Sequence, residues 1–366
     1  MACRLSDIAQ QVGVDVSTVS LVLNNKPLAQ TFKPKTRQRI REVAKELGYQ
    51  PNAAARALQT KRTGNIGFII SDTVHDVWVN TYFGKQLAGC EQQCRDRGYG
   101  LQISRYNLQN IDQFVFPKKV GQRAIDGLVL TGHIASAVLL RFAEFNIPCV
   151  SVGDDAEEHL KMAMVSGDVV SGLHEAVTYL AQLGHHRVSR VTHSNFRSQE
   201  VCDQVAQQLK QSAQTASCSM TNIHAHGETE SQIAINILDQ LAAIPAKDRP
   251  TALITYDKLC LALITEIERR GLAYPQDLNL ISFPNSDLCL YARPALTAID
   301  MDIEQMGSVA TKLLIDHLEN GKPLDSEQLR MSFPMELIVR DSCLPPQQKQ
   351  PSPALSAVTP SLGEHS

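Results

Sequence analysis

Between Val16 and Leu21 the chain sets hydroxyls beside apolar side chains. Ser17, Thr18 and Ser20 can hydrogen-bond phosphate oxygens or base edges, and Val16 and Leu21 can pack against thymine methyl groups. This is the chemistry of holding a ligand, not of breaking a bond. The residue patterns of catalysis do not occur: there is no G-x-S-x-G elbow, no phosphate-cradling glycine loop and no H-E-x-x-H pair. Cys90 and Cys94 stand one helical turn apart without a histidine to complete a set. They and the rest of the nine scattered cysteines are read as buried free thiols of a reducing compartment. No catalytic residue, metal or cofactor is expected.

The elements that must present Val16 to Leu21 are short helices. Leu5, Ile8, Ala9 and Val12 form an apolar stripe of helical period that stops at Gly13, and Gly13-Val14-Asp15 reads as a tight turn. A second helix follows over Val16 to Leu23, with Asp15 placed to cap its free amides and Val19, Val22 and Leu23 inward. A third runs from Pro34 to Leu47, opening on proline, striped by Ile40, Val43, Ala44 and Leu47, and ending at Gly48. Two helices joined by a glycine turn match a helix-turn-helix, whose second helix enters the major groove with its first residues toward the bases; an ordinary three-helix cap has the same period.

Charge separates this head from the rest. Residues 1–63 carry eleven Lys or Arg and four Asp or Glu, a surplus of seven, so with a net charge of −3 the remainder carries a net charge of −10. A basic head on an acidic body fits a chain whose one end meets a polyanion. After Tyr49, the alanine-rich segment Pro51 to Leu58 is too short for a helix to persist alone in water and is expected to form only when something packs on it.

From Asn65 onward, short apolar runs (Ile66 to Ile70, Gly100 to Ser104, Gly127 to Thr131, Pro148 to Gly153, Arg187 to Thr192, Ala252 to Thr255, Leu278 to Phe283) alternate with helical stretches such as Tyr82 to Arg97, Gly172 to Leu183, Lys258 to Arg270 and Ile303 to Leu318. Such alternation predicts parallel sheets covered on both faces. The 366 residues, 43% of them hydrophobic, suffice for two or three folding units. With no apolar leader and no run long enough to span a bilayer, the chain is expected to be cytoplasmic and free of membrane. Pro345 to Ser366, rich in Pro, Ser and Gln, reads as a disordered tail.

Residues 5–58 resemble the DNA-binding head and hinge of the LacI/GalR family of bacterial repressors. The elements D-I-A, G-V, S-T-V-S, T-R, E-L-G-Y and P-N-A-x-A-R-x-L follow one another at that family's spacing, apart from a lengthened loop from Lys26 to Lys33. The likeness continues to about Asp341 through Ile125-Asp126-Gly127-Leu128, Leu183-Gly184-His185-His186-Arg187-Val188, Thr255-Tyr256-Asp257 and Pro294-Ala295-Leu296-Thr297-Ala298-Ile299. It implies an α/β, two-lobed, periplasmic-binding-protein-like sensor domain behind an all-α helix-turn-helix domain, with three chain passages between the lobes. The divisions would be 1–50 for the head, 51–63 for the hinge helix and linker, 64–343 for effector binding and dimerisation, and 344–366 for the tail.

The resemblance further implies a transcriptional regulator, a repressor by type, that binds a pseudo-palindromic DNA operator as a homodimer under control of a small-molecule effector, a sugar or sugar derivative. A regulator without an effector, or an activator, is the alternative. Val16, Ser17, Thr18, Ser20, Leu21 and Asn25 would face DNA, and Ala53 and Ala54 would let two hinge helices lie close while Leu58 wedges into the minor groove. Asp72, Tyr82, Phe83, Arg197 and Asp257 match the family's effector pocket. Asp72 and Asp257 either bind hydroxyls or cap helices, and Tyr82 and Phe83 either cover a ring or belong to the core. Departures follow as well: Leu21 stands where many members carry a long polar reader, Asp203 where many carry arginine, and Ser282-Phe283-Pro284-Asn285 where they read G-F-D-D. That puts Asn285 in the pocket, and extra residues before Tyr82 bring the single tryptophan, Trp78, to its mouth.

Overall fold

The computed structural model describes residues 3–24, 27–50, 57, 62–72, 80–132, 134–153, 162–192, 198–210, 218–324 and 329–346. They fall into two compact units, 1–64 and 65–366. The first holds α1 (Leu5–Val12), α2 (Val16–Leu23) and α3 (Pro34–Glu46), packed through Ile8, Val19, Val22, Ile40 and Val43, all fully buried. Gly13 sits at φ +75°, where only glycine is unstrained, and its amide and that of Val14 both donate to the Ala9 carbonyl, closing α1 and turning the chain into α2. The Lys26 to Lys33 loop contains a 3-10 turn at Pro27–Thr31 that buries Ala29.

Two expectations for the head are corrected. Asp15 occupies the N-cap position of α2, yet its exposed side chain makes no capping hydrogen bond, because water competes for a carboxylate that nothing holds in place. Leu47 lies past the end of α3 and is 38% exposed; the chain reverses at Gly48, and Tyr49 packs on the cluster instead.

The second unit contains β1 (Asn65–Ser71), α4 (Thr81–Arg97), β2 (Gly100–Tyr106), α5 (Lys118–Gly121), β3 (Gly127–Thr131), α6 (Ser136–Glu144), β4 (Cys149–Val152) and β5 (Ala163–Gly167). There follow α7 (Val169–Gln182), β6 (Arg187–Thr192), α8 (Ser198–Leu209), β7 (Ser219–His224), α9 (Glu230–Ala243), β8 (Ala252–Thr255), α10 (Asp257–Arg269), β9 (Asn279–Ser282), α11 (Asp287–Tyr291) and β10 (Thr297–Asp300). The unit ends with α12 (Ile303–Asn320), β11 (Arg330–Phe333) and β12 (Glu336–Ile338). They build two six-stranded sheets, β2-β1-β3-β4-β5-β11 and β7-β6-β8-β9-β10-β12. Every pairing is parallel except β10 with β12. Strands β3, β4, β5, β8 and β9 are buried throughout, as parallel strands under helices on both faces must be.

The chain passes between the two lobes at Asp168, at Met301-Asp302 and at Pro334-Met335. The passages touch. Asp168 N–H donates to the Phe333 carbonyl at 2.9 Å, and a Cβ on Gly167 would stand 2.2 Å from Met335 Cε and 3.1 Å from Met301 Sδ. Asp168 and Asp302 each restart a helix directly after their crossing, capping α7 through Ser171 N–H and α12 through Gln305 N–H.

In the first lobe α4 and α12 cross at a pair of glycines. A Cβ on Gly307 would lie 2.1 Å from the Gln86 carbonyl oxygen, and one on Gly89 would lie 1.9 Å from that of Glu304. Cys90 Sγ donates to the Gly307 carbonyl at 3.3 Å, and burial pushes the Cys90 and Cys94 thiols up to about 12, which keeps them protonated within the core. In the second lobe His185 is fully buried. Its Nε2 lies 3.0 Å from the Leu344 carbonyl, which can only accept, so Nε2 carries the proton and Nδ1 accepts from the Thr251 hydroxyl at 2.7 Å. Leu344, which the division at 343/344 assigned to the tail, is thus part of this lobe; its N–H also donates to Asn279 Oδ1. Residues 347–366 lie outside the described residues.

Two outcomes follow from this packing. Gly307→Ala is expected to destabilise the protein by about 1–3 kcal/mol, the usual cost of overpacking, because the obstacle is backbone and cannot swing away; a melting temperature equal to wild type counts against the close crossing. Burial holds the His185 imidazole below its ordinary value of 6.5. The unfolded chain therefore binds a proton more readily, so this contribution to stability is complete above 6.5 and is lost as pH falls beneath it. Denaturation midpoints measured from neutral to mildly acidic pH should show that slope, and His185→Asn should flatten it.

Candidate functional site

On α2 the side chains divide by helical period. Val19 and Val22 are buried, Val16 (46% exposed) and Ser17 point outward, and Thr18, Ser20 and Leu21 are half-exposed. Ser20 is partly engaged, since Asn24 Nδ2 donates to its carbonyl at 2.9 Å and to its hydroxyl at 3.3 Å. The helix thus offers one apolar tip and two or three hydroxyls on a continuous outward strip. Along α3, Arg37, Arg41 and Lys45 line one face beside a shallow groove, so the unit carries its positive charge on a helix surface and not in its core. Asn25, Ala53, Ala54 and Leu58 lie outside the described residues.

In both lobes the five leading strands run in the order 2-1-3-4-5, which places topological switch points between β1 and β3 and between β6 and β8. In open α/β sheets ligands settle beyond the carboxyl ends of the strands at such points. The first lobe puts Asp72 there, directly after β1, and Thr131 beside it at the end of β3, where Ile70 and Thr131 are register partners. Asp72 is exposed; its backbone N–H donates to the Tyr106 carbonyl and its own carbonyl accepts from Arg105. It does not cap α4, because Asn80 does, accepting from Tyr82 N–H at 3.0 Å. Tyr82 and Phe83 open α4 in an edge-to-face pair with centroids 5.2 Å apart, half-buried against the core.

The second lobe brings Asp257 and Asn285 to the same end of its sheet. Asp257 accepts from Lys258 N–H at 2.8 Å and from the Ser286 hydroxyl at 2.5 Å, so the first turn of α10 is tied to the residue that precedes α11. Asn285 Oδ1 accepts from Arg340 at 3.0 Å, which leaves its amide donors, and Arg340 also donates to the Leu296 carbonyl. Burial, and after it the Glu230 carboxylate, raises the pKa of the Tyr256 phenol, which places Tyr256 among acidic neighbours. Ser286 and Thr131 did not stand out in the sequence, although a lone threonine closing the apolar run Gly127 to Thr131 was a signal. Trp78 and Arg197 lie outside the described residues. Asp203, on α8, is exposed.

Residues 4–52 match the model of bacterial regulatory proteins of the lacI family, and residues 177–343 match a periplasmic binding protein-like domain. The repressor PurR of Aliivibrio fischeri is 25% identical over 344 residues, covering 93% of this chain and 98% of its own. The head of the chain is that of a lacI-family regulatory protein. Other relatives are the repressor CytR of Escherichia coli, 26% identical over 93% of this chain and 96% of its own, and catabolite control protein A of Staphylococcus epidermidis, 27% identical over 87% and 94%. The fold is that of the lac repressor dimer bound to operator and the anti-inducer ONPF (TM-score 0.75, 19% identity, 94% of this chain and 100% of that one). It is also that of the regulator CelR in complex with cellobiose (TM-score 0.62, 20% identity, 93% and 99%). The chain is therefore a DNA-binding transcriptional regulator with a ligand-binding type of body, and its relatives are regulators, not enzymes. Among its described residues no helix is long and apolar enough to cross a membrane.

The double engagement of Asp257 gives a direct test of its structural share. Asp257→Ala should cost about 1–2 kcal/mol of stability, in the range of a lost helix cap, with Asp257→Asn costing less because its carbonyl still accepts. Chemical denaturation of the three proteins side by side measures it; equal midpoints mean the Ser286 contact carries no weight.

Proposed function

We propose that this regulator is a ligand-gated repressor: a homodimer that holds a pseudo-palindromic operator through α2 and the hinge segment, and releases it when a sugar or sugar-derived effector binds between the lobes. Its place of action is the cytoplasm. Val16, Ser17, Thr18, Ser20, Leu21 and Asn25 read or grip the major groove, and Ala53, Ala54 and Leu58 act at the minor groove. Asp72, Trp78, Tyr82, Phe83, Arg197, Asp257 and Asn285 are the effector contacts. The head takes residues 1–50, the hinge 51–63 and the sensor the body that follows.

The observation that carries this reading is the outward strip of α2 in a chain whose body has two ligand-type switch points joined by three very short passages. Lobes connected in that way close by hinge motion, and a ligand that prefers the closed state shifts the population toward it. Dimerisation is supported by the operator-bound lac repressor dimer of the same fold, and by Leu290 and Tyr291 on α11, which leave 51% and 72% of their surface exposed. A sugar is supported by the carboxylate, amide and aromatic groups at the two strand ends, which suit hydroxyls and a ring face, and by the cellobiose held by CelR.

Selection of bound DNA from a random pool should recover a two-fold symmetric motif whose half-sites lie about one helical turn apart. Specific binding should exceed non-specific binding by ~10³ or more, and Leu58→Gly should abolish most of that margin. A motif without symmetry sinks the dimeric reading, and undiminished selectivity in Leu58→Gly sinks the hinge wedge.

A further inference from the structure

Gln86 is buried within α4 with no exposed surface, and only one end of its side-chain amide is satisfied. Thr131 Oγ1 lies 2.7 Å from Gln86 Oε1 and 3.2 Å from the Val152 carbonyl, while Gln86 Nε2 has no hydrogen-bond partner. Turning the amide over does not remove the deficit. Thr131 would then accept from Nε2 and donate to Val152, and the oxygen would be the end left alone. A buried amide end without a partner opposes folding, and native chains keep such groups rarely.

Its position is that of a ligand contact. Thr131 is the last residue of β3, at the β1 and β3 switch point, with Asp72 on the neighbouring strand end. Gln86 lies one helical turn beyond Tyr82 and Phe83, on the same face of α4. Its backbone is pinned from behind, because Gly307 of α12 approaches the Gln86 carbonyl more closely than any Cβ would permit. The amide is therefore held beneath the β1 and β3 switch point by a hydroxyl on one side and a helix on the other, fully buried, with one hydrogen-bonding end unpaired.

We propose that Gln86 is a specificity-determining residue of the effector site, its unpaired amide end reserved for one polar group of the effector, a hydroxyl or a ring nitrogen, that enters beside the Tyr82 and Phe83 rings. This rests on the effector reading above. A hydroxyl serves either orientation of the amide, since it both donates and accepts, so a polyhydroxylated ligand is favoured over an apolar one. An ordered water would satisfy the same end in the ligand-free protein and would be displaced on binding.

The test uses the full chain and the variants Gln86→Met and Gln86→Leu, which keep the bulk and remove the amide. Thermal shift and calorimetry are run with D-ribose, D-glucose, cellobiose and adenosine, and with single-deoxy analogues of whichever binds. Expected are variants that melt at or above wild type without ligand, and a loss of about tenfold or more in affinity for the binding compound. One deoxy analogue should bind both variants as well as its parent does, though it binds wild type more weakly. Variants that bind the compound as tightly as wild type, with every deoxy penalty intact, overturn the inference and leave the effector reading standing, whether they melt lower or not. If no compound binds wild type, the effector reading falls and this inference with it.

Discussion

Three strands of chain cross from one lobe to the other, and the space they share is set by the absence of a single side chain. Gly167 ends β5 where Met335 and Met301 already fill the volume a Cβ would need. Because it does, the three passages lie against one another, Asp168 can reach the Phe333 carbonyl, and the crossings act as one narrow joint. Packed interiors are close to crystal density, so a joint of this kind has few intermediate positions. In the proposed reading the lobes on either side move as bodies, which would turn a small ligand into a switch.

On either side of the joint, side chains at the strand ends are mostly engaged with one another. Asp257 is held by Ser286, Asn285 by Arg340, and Thr131 by Gln86 and Val152. Such prior engagement fixes the groups before a ligand arrives, so less entropy is lost on binding. It also couples sites along the chain: the Ser286 hydroxyl ties the start of α10, at the cleft end of β8, to α11, whose Leu290 and Tyr291 are exposed. A group that shifts at Asp257 has a short physical path to that surface.

The head works on a different principle. Among the described residues its core is eight buried residues, all small or aliphatic and none cationic. In the proposed reading, an outward strip one helix face wide reads the sequence, while the surplus of positive charge supplies attraction that does not depend on sequence.

Much of this was legible in the residues alone. The period of Leu5, Ile8, Ala9 and Val12, the glycine at the turn and the spacing of the family motifs fixed the helices of the head. The buried apolar runs placed β1, β3, β6 and β8, because local pattern and burial obey the same period. The edge strand Ser219–His224 and the strand Ala163–Gly167 were missed, being polar or built from small residues whose strand state comes from their neighbours. The sequence also marked Asp72, Tyr82, Phe83 and Asp257, but not what each touches. That Arg340 occupies one end of Asn285, that Leu344 belongs to the second lobe and that Gln86 is left half satisfied are facts of tertiary contact. They depend on residues tens to hundreds of positions apart meeting in space, and no local period or propensity carries that information.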